Sequence, residues 1–257
     1  MPDWSGLDPR DPSLEPRAPT ERSPSRIVER TVALLEVLLC SDYPTQSAIG
    51  ATFTVFGFAP FTPHGRLSVP YVVTLSLVDT AFLIGLIVLF LHVHGERARD
   101  VLLGQRPVLG EARYGLLLTI TTLVIGIAVL ASIRTFVPAL HNVEHNPLQD
   151  LMANPHDAWL FMLVVVVAGG VREEIQRAFV LHRFEAWLGG RWVGIVVGSA
   201  AFGAGHLLQG ADAAVATGLL GVFWGIVYLR RRSVVAPIVS HSGFNVLQIA
   251  QYLLVGG

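Results

Sequence analysis

The chain has 257 residues, 52% of them apolar and only 14% charged, with a formal net charge of −1. Soluble domains carry about 25% charged residues, so an ordinary water-facing surface is excluded, and the near-zero charge excludes a nucleic-acid partner held through phosphate contacts. The one cysteine, Cys40, rules out an intrachain disulfide.

Residues 1–26 are rich in Pro, Arg, Asp and Glu and nearly free of apolar residues. They lack the apolar stretch of a signal peptide and read as a disordered cytosolic tail. Ile27–Leu39 places apolar residues at helical spacing beside Arg30 and Glu36, the pattern of a helix lying at a membrane surface. Apolar stretches of span-like length then follow at 45–61, 69–93, 115–137, 158–181, 193–209, 212–229 and 234–255. About twenty residues cross the hydrocarbon as a helix, so the reading is an all-α, polytopic transmembrane helix bundle with about seven spans. The first stretch is the most interrupted, by Gly, Thr and Pro.

Arginine supplies every basic residue, and its placement supports this order of spans. The tail carries Arg10, Arg17, Arg22, Arg26 and Arg30, whereas the next loop has only Arg66. Arg97, Arg99, Arg106 and Arg113 follow, then a loop over 138–157 with no arginine. Arg183 and Arg191 come next, then a loop with only Asp212, then Arg230–Arg232. Alternation of rich and poor loops predicts a cytosolic N-terminus and a C-terminus on the far side.

A charge at the bilayer centre costs at least about 2.5–3.5 kcal/mol, so ionisable groups inside spans mark function. The last four spans supply a set of them. The fourth contains Arg172-Glu173-Glu174-Ile175-Gln176-Arg177, the fifth Phe202-Gly203-Ala204-Gly205-His206, and the seventh His241-Ser242-Gly243-Phe244-Asn245. Residues four apart share a helix face, which predicts a Glu173–Arg177 pair, a His241–Asn245 pair, and Phe202 beneath His206. Nearby glycines allow close helix approach and a hydrated hollow. Such a set suits hydrolysis of a carbonyl compound: a desolvated glutamate activates water, and imidazole and amide groups stabilise the oxyanion. No serine or cysteine stands in a position that argues for a nucleophile. Asp79 is an anomaly within the second span, Arg134 reads as reaching to the interface, and His92, His94, His141, His145 and His156 read as solvated.

Glu-Glu followed by Arg, then Phe-x-x-x-His, then His-x-x-x-Asn, on successive membrane helices, resembles the type II CAAX prenyl endopeptidases and bacterial CPBP proteases. The resemblance covers roughly residues 145–250. It implies Glu173 and His206 as the groups that activate water, His241 and Asn245 as transition-state stabilisers, and Glu174 and Arg177 in support. Two residues separate the glutamate pair from Arg177 where the usual pattern has three, which leaves open which glutamate is bridged and which is the base. The family's early description as metalloproteases leaves a zinc ion on Glu173, Glu174, His206 and His241 open, although the zincin motif is absent.

The resemblance implies an intramembrane endopeptidase in a bacterial plasma membrane, acting on a membrane-associated peptide or protein of the prenylated type or otherwise. Lipid and that substrate are the expected partners, no cofactor is expected, and the oligomeric state is left open. A catalytic unit is expected over 145–257 and a scaffold over 27–144. The rival readings are a proton-coupled or solute transporter using the Glu/His set as a relay, and a non-catalytic immunity or scaffolding protein of the same fold.

Overall fold

The computed structural model describes residues 26–144 and 146–255. The tail expected over 1–26 lies outside these residues apart from Arg26, as does His145. Among the described residues the fold is all α-helical, with one isolated bridge between Phe61 and Leu67.

Ten helices follow in order: α1 (Arg26–Leu39), α2 (Tyr43–Val55), α3 (Val69–Val93), α4 (Ala98–Leu102), α5 (Val108–Phe136), α6 (Pro155–Val164), α7 (Glu173–Ala186), α8 (Arg191–Ala204), α9 (Ala211–Arg231) and α10 (Val235–Val255). Helices α3, α5 and α9 are long and apolar enough to cross a bilayer. Helix α10 equals α9 in length, at 21 residues, but is diluted by His241, Asn245 and Gln248. An eight-residue π-helical segment, Val165–Arg172, joins α6 to α7 without a break. The resulting rod runs from Pro155 to Ala186 and is the longest element of the bundle.

Local chemistry sets the ends of these elements. Pro155 opens α6, where the Asn154 side chain accepts from the Asp157 amide at 3.0 Å. Helix α2 stops because Gly57 takes φ +73° and Pro60 and Pro63 prevent the helix from resuming. The stretch read as the first span is therefore helical only as far as Val55, in a helix of 13 residues. That is about 20 Å of helix against a hydrocarbon core of about 30 Å, so α2 by itself is shorter than a full span. The surface helix expected over 27–39 is present as α1.

Helices α5 and α10 are the most extensively packed pair. Gly115 lies so close to the Ala236 carbonyl that a Cβ would sit 2.7 Å from its oxygen, and Gly243 does the same against Thr119. Thr122 and Ser240 join the two helices by a hydroxyl hydrogen bond of 2.8 Å. A buried cluster of Cys40, Leu83, Ile87, Leu91 and Phe179 fixes the α1–α2 elbow to α3 and α7.

Ion pairs mark the two ends of the bundle. At one end Arg183 bridges Glu36 and Glu96 at 2.6 Å each, Arg232 pairs with Glu185 at 2.7 Å, and Arg231 pairs with Glu111. At the other, Arg66 faces Asp150 at 3.6 Å and Arg134 faces Asp212 at 3.6 Å. The arginine-rich loops among the described residues thus gather at one end. Arg134 is tied to α9 and does not merely reach outward. His141 and His94 are also engaged, with Asp212 at 2.8 Å and Glu36 at 2.7 Å, because each lies against a carboxylate brought in by another helix.

Candidate active site

Glu173 and Glu174 begin α7 immediately after the π turn, about 100° apart around the helix. They consequently meet different surroundings. Glu174 is 1% exposed; its Oε2 accepts from Arg177 Nε at 3.1 Å, and its Oε1 lies 2.9 Å from His241 Nδ1. This corrects the expected Glu173–Arg177 pair. The Arg177 guanidinium is held over the Phe202 ring, 4.5 Å from its centre, and donates to the Gly221 carbonyl at 3.4 Å. That direction carries it toward Glu174.

Glu173 faces Arg172 instead, at 3.5 Å. Arg172 Nη1 also donates to Asp79 at 2.6 Å and to Asp42 at 2.9 Å, so one guanidinium serves three carboxylates. The anomalous Asp79 is explained: it is a fully buried counter-ion. Asp42 stands in the α1–α2 elbow, outside the spans, at φ +79°. Burial and a hydrogen bond with Asp79 push its carboxyl up to about 8, against the pull of Arg172.

His206 lies just past the end of α8, its Nδ1 2.8 Å from the Phe202 carbonyl and its ring edge-on to Phe202 at 4.9 Å. A carbonyl only accepts, so Nδ1 carries a proton, and in the neutral ring Nε2 has the lone pair. His241 is stacked on Trp224 at 3.8 Å between ring centres. Its Nδ1 donates to Glu174, which leaves Nε2 toward Glu173, 3.8 Å from Oε2. Asn245 does not pair with His241; its Nδ2 donates to the Val165 carbonyl at 3.4 Å, on the π segment.

Two cavities meet here. A smaller one of about 310 Å³ runs along Val37, Tyr43, Phe184 and Val197, and a larger one of about 750 Å³ takes in His241, Asn245 and Gln248. Arg172, Glu173 and His206 line both. Glu173, at the start of α7, and His206, just past the end of α8, thus face the same pair of cavities.

Residues 155–247 match the family described as type II CAAX prenyl endopeptidase Rce1-like. The similarity to that family is confined to this part of the chain. No curated protein and no solved structure matches the chain significantly. The Rce1-like segment contains all six motif residues and the whole π-helical rod.

The family's metal reading can be tested on geometry. Among the described residues no group of three or more His, Cys, Asp or Glu is placed to hold a metal ion. Glu174 is committed to Arg177 and His241, and His206 Nδ1 to a carbonyl. In this arrangement both groups are engaged within the protein.

Four participants escape motif reasoning. Arg172 and Asp79 were visible only as charges inside spans, and Asp42 carried no signal because it is far away in sequence. Trp224 supports His241 from α9 and looks in the sequence like any aromatic residue of a membrane helix.

Proposed function

We propose that the chain is an intramembrane endopeptidase in which Glu173 is the general base. The carrying observation is the division of labour between the glutamates: Glu174 is closed off by Arg177 and His241, whereas Glu173 opens on both cavities together with His206. A family of proteases supports the class of reaction.

In this reading a water between Glu173 and His206 Nε2 gives its proton to Glu173 and attacks the substrate carbonyl. His206 Nε2 accepts the water's second hydrogen bond and orients it. Charge develops on the carbonyl oxygen as the tetrahedral intermediate forms. Glu173 passes the water's proton to His241 Nε2, 3.8 Å from its Oε2. His241, held by Glu174 and Trp224, donates from Nε2 to the oxyanion and then delivers that proton to the leaving amine, which restores both groups. Asn245 anchors the π segment on which Glu173 stands. Arg177 and His241 hold the two oxygens of Glu174, and this grip sets the orientation of the His241 ring.

The substrate is a peptide bond of a membrane-associated polypeptide. The arginine-rich end lies in the cytosol, following the positive-inside rule. The test is cleavage of a membrane-peptide library by purified protein, comparing wild type with Glu173→Ala and His206→Ala. Loss of cleavage in both variants is expected; equal cleavage by all three removes the mechanism.

A further inference from the structure

The two carboxylate oxygens of Glu173 have different neighbours. Oε1 lies 3.5 Å from Arg172 Nη2, whereas Oε2 lies 3.8 Å from His241 Nε2. Oε2 is the oxygen placed to take a proton from water and hand it to His241. A guanidinium that is free to turn pairs with a carboxylate through two parallel N–H groups. Such a pair would occupy both oxygens of Glu173 and leave neither for water.

Arg172 is not free to turn. It is buried, and its other arm, Nη1, donates to Asp79 Oδ2 at 2.6 Å and to Asp42 Oδ1 at 2.9 Å. That leaves Nη2 as the arm directed at Glu173. Both aspartates lie outside the matched residues 155–247. Asp79 comes from α3 and is fully buried.

Asp42 comes from the α1–α2 elbow, and three features fix it there. Its φ of +79° belongs to a region that residues other than glycine enter uncommonly, Asp more readily than most. Its Oδ2 accepts from Gln46 Nε2 at 2.7 Å, so both oxygens are held. Gln176, one turn beyond Arg172 on α7, donates from Nε2 to the Cys40 carbonyl at 2.7 Å. The elbow is thereby fastened to the same face of α7 that carries Arg172.

We propose that Arg172, held by Asp42 and Asp79, is a positioning residue for the hydrolysis: it engages one oxygen of Glu173 and keeps the other open to water and His241. This rests on the reading of Glu173 as the base, and adds that the elbow and α3 complete the site. The Rce1-like segment by itself contains the guanidinium without the two carboxylates that aim it.

The test uses the full chain in detergent and a quenched fluorescent peptide from the membrane-peptide library that wild type cleaves, with kcat and KM measured separately. Asp42→Gly suits the backbone at φ +79° and removes the side chain that holds Nη1. Its kcat should fall on the order of 10²-fold, the cost of a misplaced catalytic group, with KM within about twofold of wild type. Asp42→Asn keeps an oxygen for Nη1 and should recover most of that loss. Arg172→Gln should lose a similar factor, and adding Asp42→Gly to it should change kcat no further, because Asp42 acts through the guanidinium. An unchanged kcat in Asp42→Gly, even with a lowered melting temperature, overturns the proposal. So does a failure of Asp42→Asn to recover activity, or an additive loss in the double variant. If Arg172→Gln does not fold, the two Asp42 variants decide. In each of these cases cleavage that is lost in Glu173→Ala leaves the hydrolytic reading standing. Cleavage unaffected by Glu173→Ala, or none by wild type on any library peptide, removes both.

Discussion

Exchanging each glutamate for glutamine separates their roles, because the two side chains sit in opposite electrostatic situations. Glu173 opens on two cavities, and its nearest cation lies 3.5 Å away. Its loss removes a general base, a contribution of about 10²–10⁴ in rate, equal to about 2.7–5.4 kcal/mol of barrier at 1.36 kcal/mol per tenfold. Little of its stabilising role is buried, so the fold should hardly respond. Glu174 is 1% exposed and balances Arg177 at 3.1 Å. Removing one partner of a buried pair costs about 3–5 kcal/mol, and about 2–4 °C of melting temperature accompanies each kcal/mol in a chain of this size. Glu173→Gln should therefore abolish cleavage with a melting temperature within about 2 °C of wild type by those same relations. Glu174→Gln should melt at least about 6 °C lower and keep measurable cleavage well below that midpoint. Turnover and unfolding of both variants in one detergent provide the measurement. If Glu174→Gln is thermally silent and as inactive as Glu173→Gln, the assignment of base and bridge is reversed and the reasoning from burial fails.

Other expectations concern packing and ionisation. Gly170→Ala places a methyl 1.9 Å from the Ser242 hydroxyl, and overpacking of this kind costs about 1–3 kcal/mol; Ser242→Gly in the same chain should recover most of the lost melting temperature. Cys40 should resist maleimide at pH 8 in the folded protein and react on denaturation, since burial pushes its thiol up to about 12; rapid labelling of the native protein would contradict the packed α1–α2 elbow. Glu96 sits in a loop, where burial raises its carboxyl but hydrogen bonds from Arg183 and His182 outweigh this and hold it below the usual range. Its stabilising contribution is present above the ordinary glutamate range and is lost as pH falls through its lowered folded value. Glu96→Gln should therefore melt below wild type at pH 7, with the gap closing as the pH is lowered past about 4. A constant gap from pH 7 to pH 3 would show that the ion pair is not its source.

Much of the architecture was legible from residue order, and the errors have local causes. The bounds of α3 at 69–93 match the apolar run itself, because its one carboxylate, Asp79, is met by Arg172 inside the bundle and lipid leaves the backbone no alternative to helix. The stretch at 45–61 misled, since its mean apolar character hides the break at Gly57 and the prolines after it. The histidines at 94 and 141 read as solvated because their carboxylate partners, Glu36 and Asp212, are 58 and 71 positions away.

Residue order by itself determined that lipid is the solvent, which segments run across the bundle, and that three successive helices carry the acids, imidazoles and amide. Those properties depend on transfer energies and helical period, which act over a few neighbouring residues. Only the tertiary structure decided that Arg177 bridges Glu174, that Glu173 is left to Arg172 and the cavities, and that Asp42 and Asp79 complete the charge balance. A helix face fixes a direction to within a turn, but the choice between two adjacent carboxylates is made by what the neighbouring helices place there. Here that was the Phe202 ring on α8, His241 and Trp224 from α10 and α9, and an elbow some 130 residues earlier in the chain.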